Sequence, residues 1–290
     1  MSDEGKVISF INMKGGVGKT TLAINIGYTL VKHFHKDVLL IDMDPQFNAT
    51  QALITKSSSI EAYQELRKNN KTIASLLTNL PTSMVKNEPQ SLSILDVITP
   101  LHPKMLTTKN RFDLIPGDLA LTEFQSTQRG AEKILGKQIV EHDLTSKYDY
   151  ILIDTPATYS IYSQASLYAS SYYIVPIASD VFSVLGYELL QKALSNDLVL
   201  DDHPLTNLGL LFNLTNDSLS KRSNIQNSFE GEQKFQNTLK ENENIRTGNI
   251  SNFIYDMSKT KENIVQLTKE FIEKLEGIWY AKQRRYYWKI

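Results

Sequence analysis

Six short runs of the chain are apolar almost without interruption: Val7 to Asn12, Val38 to Asp42, Phe112 to Pro116, Tyr150 to Asp154, Tyr172 to Pro176 and Leu208 to Asn213. A strand with one wet face alternates polar and apolar residues, whereas a strand covered on both faces does not. These runs therefore predict buried parallel strands. Between and after them the apolar positions recur at helical spacing, over Thr20 to Lys32, Thr122 to Thr145, Gly186 to Val199 and Ser258 to about Tyr280. Strands alternating with helices predict an α/β fold, doubly wound, with a mostly parallel sheet flanked by helices. Two polar stretches, 57–71 and 84–111, interrupt the rhythm and read as helical or loop insertions at the carboxyl edge of the sheet. A third, 216–252, is rich in Asn, Ser, Lys and Glu, and a single helix is expected in it near Glu230 to Lys240. No repeat or clear linker divides the chain, so 1–290 reads as one domain ending in a basic aromatic helix or tail.

Composition narrows the chemistry. The 31 basic and 32 acidic residues nearly cancel, which excludes a wholly basic nucleic-acid coat protein while leaving room for a local basic patch. There is no cysteine. Disulfides, thiolate metal sites, Cys-ligated clusters and Cys nucleophiles are excluded together. The acidic start, MSDEGKVISF, enters a strand at once, and no run approaches the roughly 20 apolar residues of a membrane span, so a cytoplasmic protein without a signal peptide is expected. Its chemistry is left to Lys, Asp, Thr and backbone amides.

Lys14-Gly15-Gly16-Val17-Gly18-Lys19-Thr20-Thr21 lies between the first strand and the first helix. Glycines there let backbone N–H groups approach anionic oxygens, and the helix start adds a favourable dipole. Lys19 would reach the β- and γ-phosphates and the Thr20 hydroxyl would ligate Mg²⁺. The standard P-loop places glycine five residues before Gly18, where this chain has Met13.

The sequence KGGVGKTT resembles the deviant Walker A signature of the ParA/MinD family of P-loop ATPases. Asp42-Met43-Asp44-Pro45-Gln46-Phe47-Asn48-Ala49-Thr50 resembles the ParA-type DxDPQGNAT segment, and Tyr150 to Pro156 resembles the Walker B strand and switch. Phe112 to Gln125 and Val175 to Leu190 also match in order, so the resemblance spans about Lys6 to Asn213 and is weaker beyond. It implies an ATPase with ATP and Mg²⁺ as cofactors. It further implies that Lys14 crosses an ATP-dependent homodimer to the partner's phosphates, that Asp44 orients the attacking water, and that Asp42 and Asp154 support Mg²⁺. Asn213 matches an adenine-contacting position in some members, or else is a turn-forming Asn. Two departures fall in the expected switch loops: Phe47 stands where the family has glycine, and Thr155-Pro156-Ala157-Thr158-Tyr159 keeps only one proline.

A switch ATPase needs something that reads its state. Lys221 and Arg222 in the polar segment, and Lys282, Arg284 and Arg285 in the tail, are the candidate DNA-binding residues, with Arg246, Lys259 and Lys261 secondary. Such cations attract phosphates without reading sequence. The expected function is a partitioning ATPase that binds DNA nonspecifically, associates with the nucleoid and segregates plasmid or chromosome DNA with a centromere-binding partner protein. The alternative is a MinD-like positioning ATPase for a protein cargo or a membrane-associated assembly. The tail's interleaved Trp279, Tyr280 and Trp288 leave three readings open, namely DNA, a membrane interface, or docking on the body. A ligase or synthetase on the same fold fits Lys14 and the DPQ segment less well.

Overall fold

The computed structural model describes residues 4–78, 92–101, 106, 108–126, 130–178, 180, 182–215, 227–240 and 253–287, with backbone alone at 124–126, 214–215 and 278–287. Among the described residues eight strands form one sheet: β1 (Lys6–Phe10), β2 (Val38–Asp42), β3 (Thr99–Pro100), β4 (Phe112–Ile115), β5 (Tyr150–Asp154), β6 (Tyr172–Ala178), β7 (Thr206–Thr215) and β8 (Leu239–Lys240). Their order is β3-β4-β2-β5-β1-β6-β7-β8, and every pairing is parallel except that of β3 with β4 at one edge. The helices are α1 (Lys19–Lys32), α2 (Asn48–Ser57), α3 (Ile60–Lys68), α4 (Ile73–Thr78), α5 (Ile94–Val97), α6 (Ile134–Glu141), α7 (Leu144–Lys147), α8 (Ile161–Ala169), α9 (Phe182–Ser195) and α10 (Lys261–Tyr287).

Successive side chains of a strand point to opposite faces, and both faces here are covered. Val38 and Leu40 of β2 join the core built with α1, α2 and α10, while Leu39 and Ile41 join the one built with α4, α6 and α8. A third cluster gathers Val175, Ile177, Leu210 and Phe212 of β6 and β7 with Tyr187 and Leu190 of α9. This double cover is why the sequence runs are continuously apolar, and the doubly wound α/β expectation holds. Asp154 pairs in register with Phe10 of β1 and with Asp42 of β2, so the carboxyl ends of the three central strands finish level. The loops leaving them meet at one edge.

Two expected helices are corrected. The stretch Thr122 to Thr145 is not one helix but a 3₁₀ segment at Leu119–Ser126, a 3₁₀ turn at Ala131–Lys133, and then α6 and α7. Left-handed backbone at Gly130 (φ 92°) and Asp143 (φ 50°) divides it, as residues in that conformation end helices. Near Glu230 to Lys240 there is no helix spanning the segment. Lys234 bridges to Leu210, and Leu239–Lys240 pairs along β7, which draws the chain into extended structure and buries Phe229, Phe235 and Leu239. The closing helix starts at Lys261 and continues through Tyr287, beyond the expected end near Tyr280. Within the interrupting stretches, 57–71 holds α3, and the described part of 84–111 holds α5 and β3.

Candidate active site

The loop from β1 to α1 is shaped by its glycines. Gly16 and Gly18 adopt φ 74° and 85°, a region costly for other residues, and a Cβ on Gly18 would lie 1.9 Å from Nδ2 of Asn213. A Cβ on Gly16 would meet nothing within 4 Å, so the loop opens outward there. Gly18 caps α1 with no side-chain hydrogen bond, and the first turn of α1 carries no acid. Its leading N–H groups and the positive end of its dipole are left for an anion.

Lys19 is buried, with 7% of its surface exposed. Burial pushes its pKa down, while the negative charges of Asp154 and Asp44 oppose that. Its Nζ donates to the Lys14 carbonyl at 3.4 Å, and among the described residues it has no ion-pair partner. A buried ammonium without a carboxylate partner is a strong attractor for phosphate oxygen.

The acids at the strand ends differ sharply. Asp154 is fully buried, and neither carboxylate oxygen has a hydrogen-bond partner among the described residues. Burial and then the neighbouring Asp42 charge raise its pKa well above the usual carboxylate range, with the nearby Thr20 hydroxyl and Lys19 ammonium opposing. Two orphaned buried oxygens beside a threonine hydroxyl suit a hard divalent cation that takes oxygen ligands and keeps some of its water. Asp42 is also fully buried but is committed elsewhere: Oδ2 accepts from Thr50 N at 2.8 Å and Thr50 Oγ1 at 2.7 Å, and Oδ1 from Asp44 N at 3.2 Å. Burial raises its pKa to about 7, against the Thr50 hydrogen bonds. Thr50 Oγ1 in turn accepts from Gly117 N at 2.7 Å, so Asp42 braces α2 against the end of β4. Asp44 is partly exposed and shapes its own turn, accepting from Gln46 N on Oδ1 and from Phe47 N on its carbonyl.

Lys14 does not project freely. Its Nζ pairs with Asp180, just before α9, and reaches Ser183 Oγ in the first turn of that helix at 3.4 Å, and its backbone N–H donates to Asn12 Oδ1 at 2.9 Å. Asn213 is fully buried at the end of the expected strand, where Nδ2 donates to the Val17 carbonyl at 2.9 Å. That bond makes it a brace of the phosphate loop. Lys14 through Thr21, Asp42, Asp44, Asp154 and Asn213 are thus brought to one edge of the sheet. Lys221, Arg222 and Arg246 lie outside the described residues, while Lys282, Arg284 and Arg285 ride on the backbone of α10. Three residues missed by the sequence reading matter here: Thr50, Asp180 and Gly117. All three lie in segments already matched, but only folding shows what they touch: Thr50 and Gly117 meet Asp42, and Asp180 meets Lys14.

Comparison with known proteins bears on the family and the fold. Residues 5–202 match the family model described as an AAA domain. An uncharacterised protein of Methanocaldococcus jannaschii is 33% identical over 76% of this chain and 75% of its own length. A virulence plasmid ParA family protein of Chlamydia psittaci is 26% identical over 93% of this chain and 95% of its own. In fold, the chain is similar to a putative plasmid partition protein of Borrelia burgdorferi B31, solved bound to AMPPNP, with a TM-score of 0.73, 23% identity, and coverage of 93% of this chain and 100% of that one.

Proposed function

The chain belongs to the ParA/MinD-type P-loop ATPases, and from that premise we propose that it hydrolyses ATP as a face-to-face dimer that binds duplex DNA and partitions it with a centromere-binding protein. One observation carries the nucleotide assignment from which the rest follows: a buried Lys19 ammonium and an orphaned Asp154 carboxylate lie beside an uncapped helix start, groups that suit an anion and a cation together. The nucleotide bound to the Borrelia relative supports the same assignment.

In this reading the amides of 15–21 and Lys19 hold the triphosphate, with Thr20 and Asp154 holding Mg²⁺. When bound, Mg²⁺ neutralises charge on the β- and γ-phosphates. Asp42 keeps α2 and the Asp44 turn in place, and Asp44 orients the attacking water. Lys14, released from Asp180, reaches the second copy's phosphates and stabilises charge developing on the transferred group. Lys221, Arg222, Lys282, Arg284 and Arg285 contact DNA phosphates, doubled by the two-fold dimer. Among the described residues no helix is long and apolar enough to cross a membrane.

Calorimetry and DNA retention test this in one series. Lys19→Ala should weaken ATP binding by at least about ten-fold, the loss of one charge-assisted contact, and remove ATP-dependent retention on duplex DNA. Arg284→Ala with Arg285→Ala should keep ATP affinity and flatten the salt dependence of DNA binding. Wild-type ATP affinity in Lys19→Ala sinks the nucleotide assignment. Retention on anionic vesicles but not on DNA sinks the partitioning one.

A further inference from the structure

None of the residues of helix α3 is fully buried, and it meets the core only through the partly buried Tyr63 and Leu66. Its specific contacts converge on one place. Tyr63 donates its hydroxyl to the Gly117 carbonyl at 3.0 Å, and one turn later Arg67 Nε donates to Asp118 Oδ2 at 2.9 Å. The Tyr63 ring stacks on Phe47, with centroids 5.3 Å apart and planes 25° from parallel. Phe47 thus packs against both the Tyr63 ring and Gly117, where a Cβ on residue 117 would come within 2.9 Å of the Phe47 Cβ.

Phe47 sits at φ 43°, a left-handed conformation that suits glycine and strains a bulky side chain. Such strain persists only where the surroundings impose it, and here the surroundings are α3 and Gly117. Phe47 also closes the turn that carries Asp44, since Phe47 N donates to the Asp44 carbonyl at 2.8 Å. A change in the grip on Phe47 is passed to Asp44 through that single turn.

We propose that α3 is a positioning element for hydrolysis: Tyr63, stacked on Phe47 and tied to Gly117, fixes the turn that aims the Asp44 carboxylate. The proposal rests on the reading that Asp44 orients the attacking water. Tyr63 touches neither nucleotide nor water in this scheme, so it is a positioning residue and acts through Phe47. Where the family resemblance has glycine, this chain has a bulky residue at positive φ and an aromatic ring stacked on it.

The test compares kcat and KM for ATP hydrolysis with the ATP dissociation constant in Tyr63→Ala, Tyr63→Phe, Phe47→Gly and Asp44→Ala. Tyr63→Ala should lower kcat by about ten-fold while ATP affinity stays within about two-fold, because misplacing a catalytic group slows chemistry without loosening the phosphate loop. Tyr63→Phe keeps the ring and should recover most of the rate. Phe47→Gly relieves the backbone strain yet loses the stack, so it should lose kcat as Tyr63→Ala does. Thermal unfolding of each variant keeps a folding defect from passing as a rate effect. A wild-type kcat in Tyr63→Ala beside an inactive Asp44→Ala overturns the positioning role alone. An equal loss of affinity and rate in Tyr63→Ala also overturns it. A wild-type rate in Asp44→Ala overturns the reading beneath it.

Discussion

Asp154 and Asp42 occupy matching ends of neighbouring strands, and their hydrogen bonds assign them different work. Asp42 spends its lone pairs on Thr50 and on the Asp44 amide, whereas Asp154 spends none on the described residues. Both bind protons more tightly folded than unfolded, where the usual value is 3.8. Below the unfolded value both states are protonated and neither group affects stability. As pH rises from there, the unfolded chain gives up these protons first, so the folded state loses ground; for Asp42 the cost is complete above about 7, and Asp154 adds to it in the same direction. The nucleotide-free protein should therefore melt at a lower temperature at about pH 8 than at about pH 5, and Asp154→Asn should raise the melting temperature at the higher pH and flatten the trend. A wild-type profile rising over that window, unchanged by the substitution, would contradict the account. The sequence placed both acids at the site but could not separate them, because the separation lies in Thr50 and Gly117, which only the fold brings together.

At the scale of elements, what was legible followed from periodicity. The central strands are covered on both faces, and short apolar runs rich in β-branched residues and bounded by turn signals are what such strands leave in the sequence. The expected helix over Thr122 to Thr145 failed because its apolar positions come from separate turns divided at Gly130 and Asp143. The one near Glu230 failed because the free edge of β7 recruits the segment into β8, a non-local pairing that no window of sequence contains. The end of that same β7 carries Asn213 into the phosphate loop. Its bond to Val17 and its close approach to Gly18, which leaves no room for a Cβ there, tie strand to loop, so Asn213→Ala should cost about 0.5–1.5 kcal/mol in stability and loosen the cradle. Because a brace does not read the base, affinity for ATP and for GTP should fall by the same factor. Titration calorimetry with both nucleotides checks this. Loss of ATP affinity alone would instead make Asn213 an adenine contact.

For the whole molecule, the decisive feature is a lysine that faces two possible anions. Lys14 pairs with Asp180 of its own chain, just before α9, beside rather than within the cradle formed by its neighbours. In the dimer proposed above it leaves Asp180 for the second copy's phosphates, and each active site is then assembled from two chains. Mixing two inactive proteins, Lys14→Ala and Asp44→Ala, tests that assembly directly. A heterodimer contains one site in which the intact Asp44 of one copy meets the intact Lys14 of the other. Hydrolysis should return on mixing, to as much as about a quarter of the wild-type rate at equal amounts, since half the randomly paired two-fold dimers would carry one working site. If Lys14 serves its own nucleotide, every site in every pairing lacks one group, and no recovery at any mixing ratio would contradict the account.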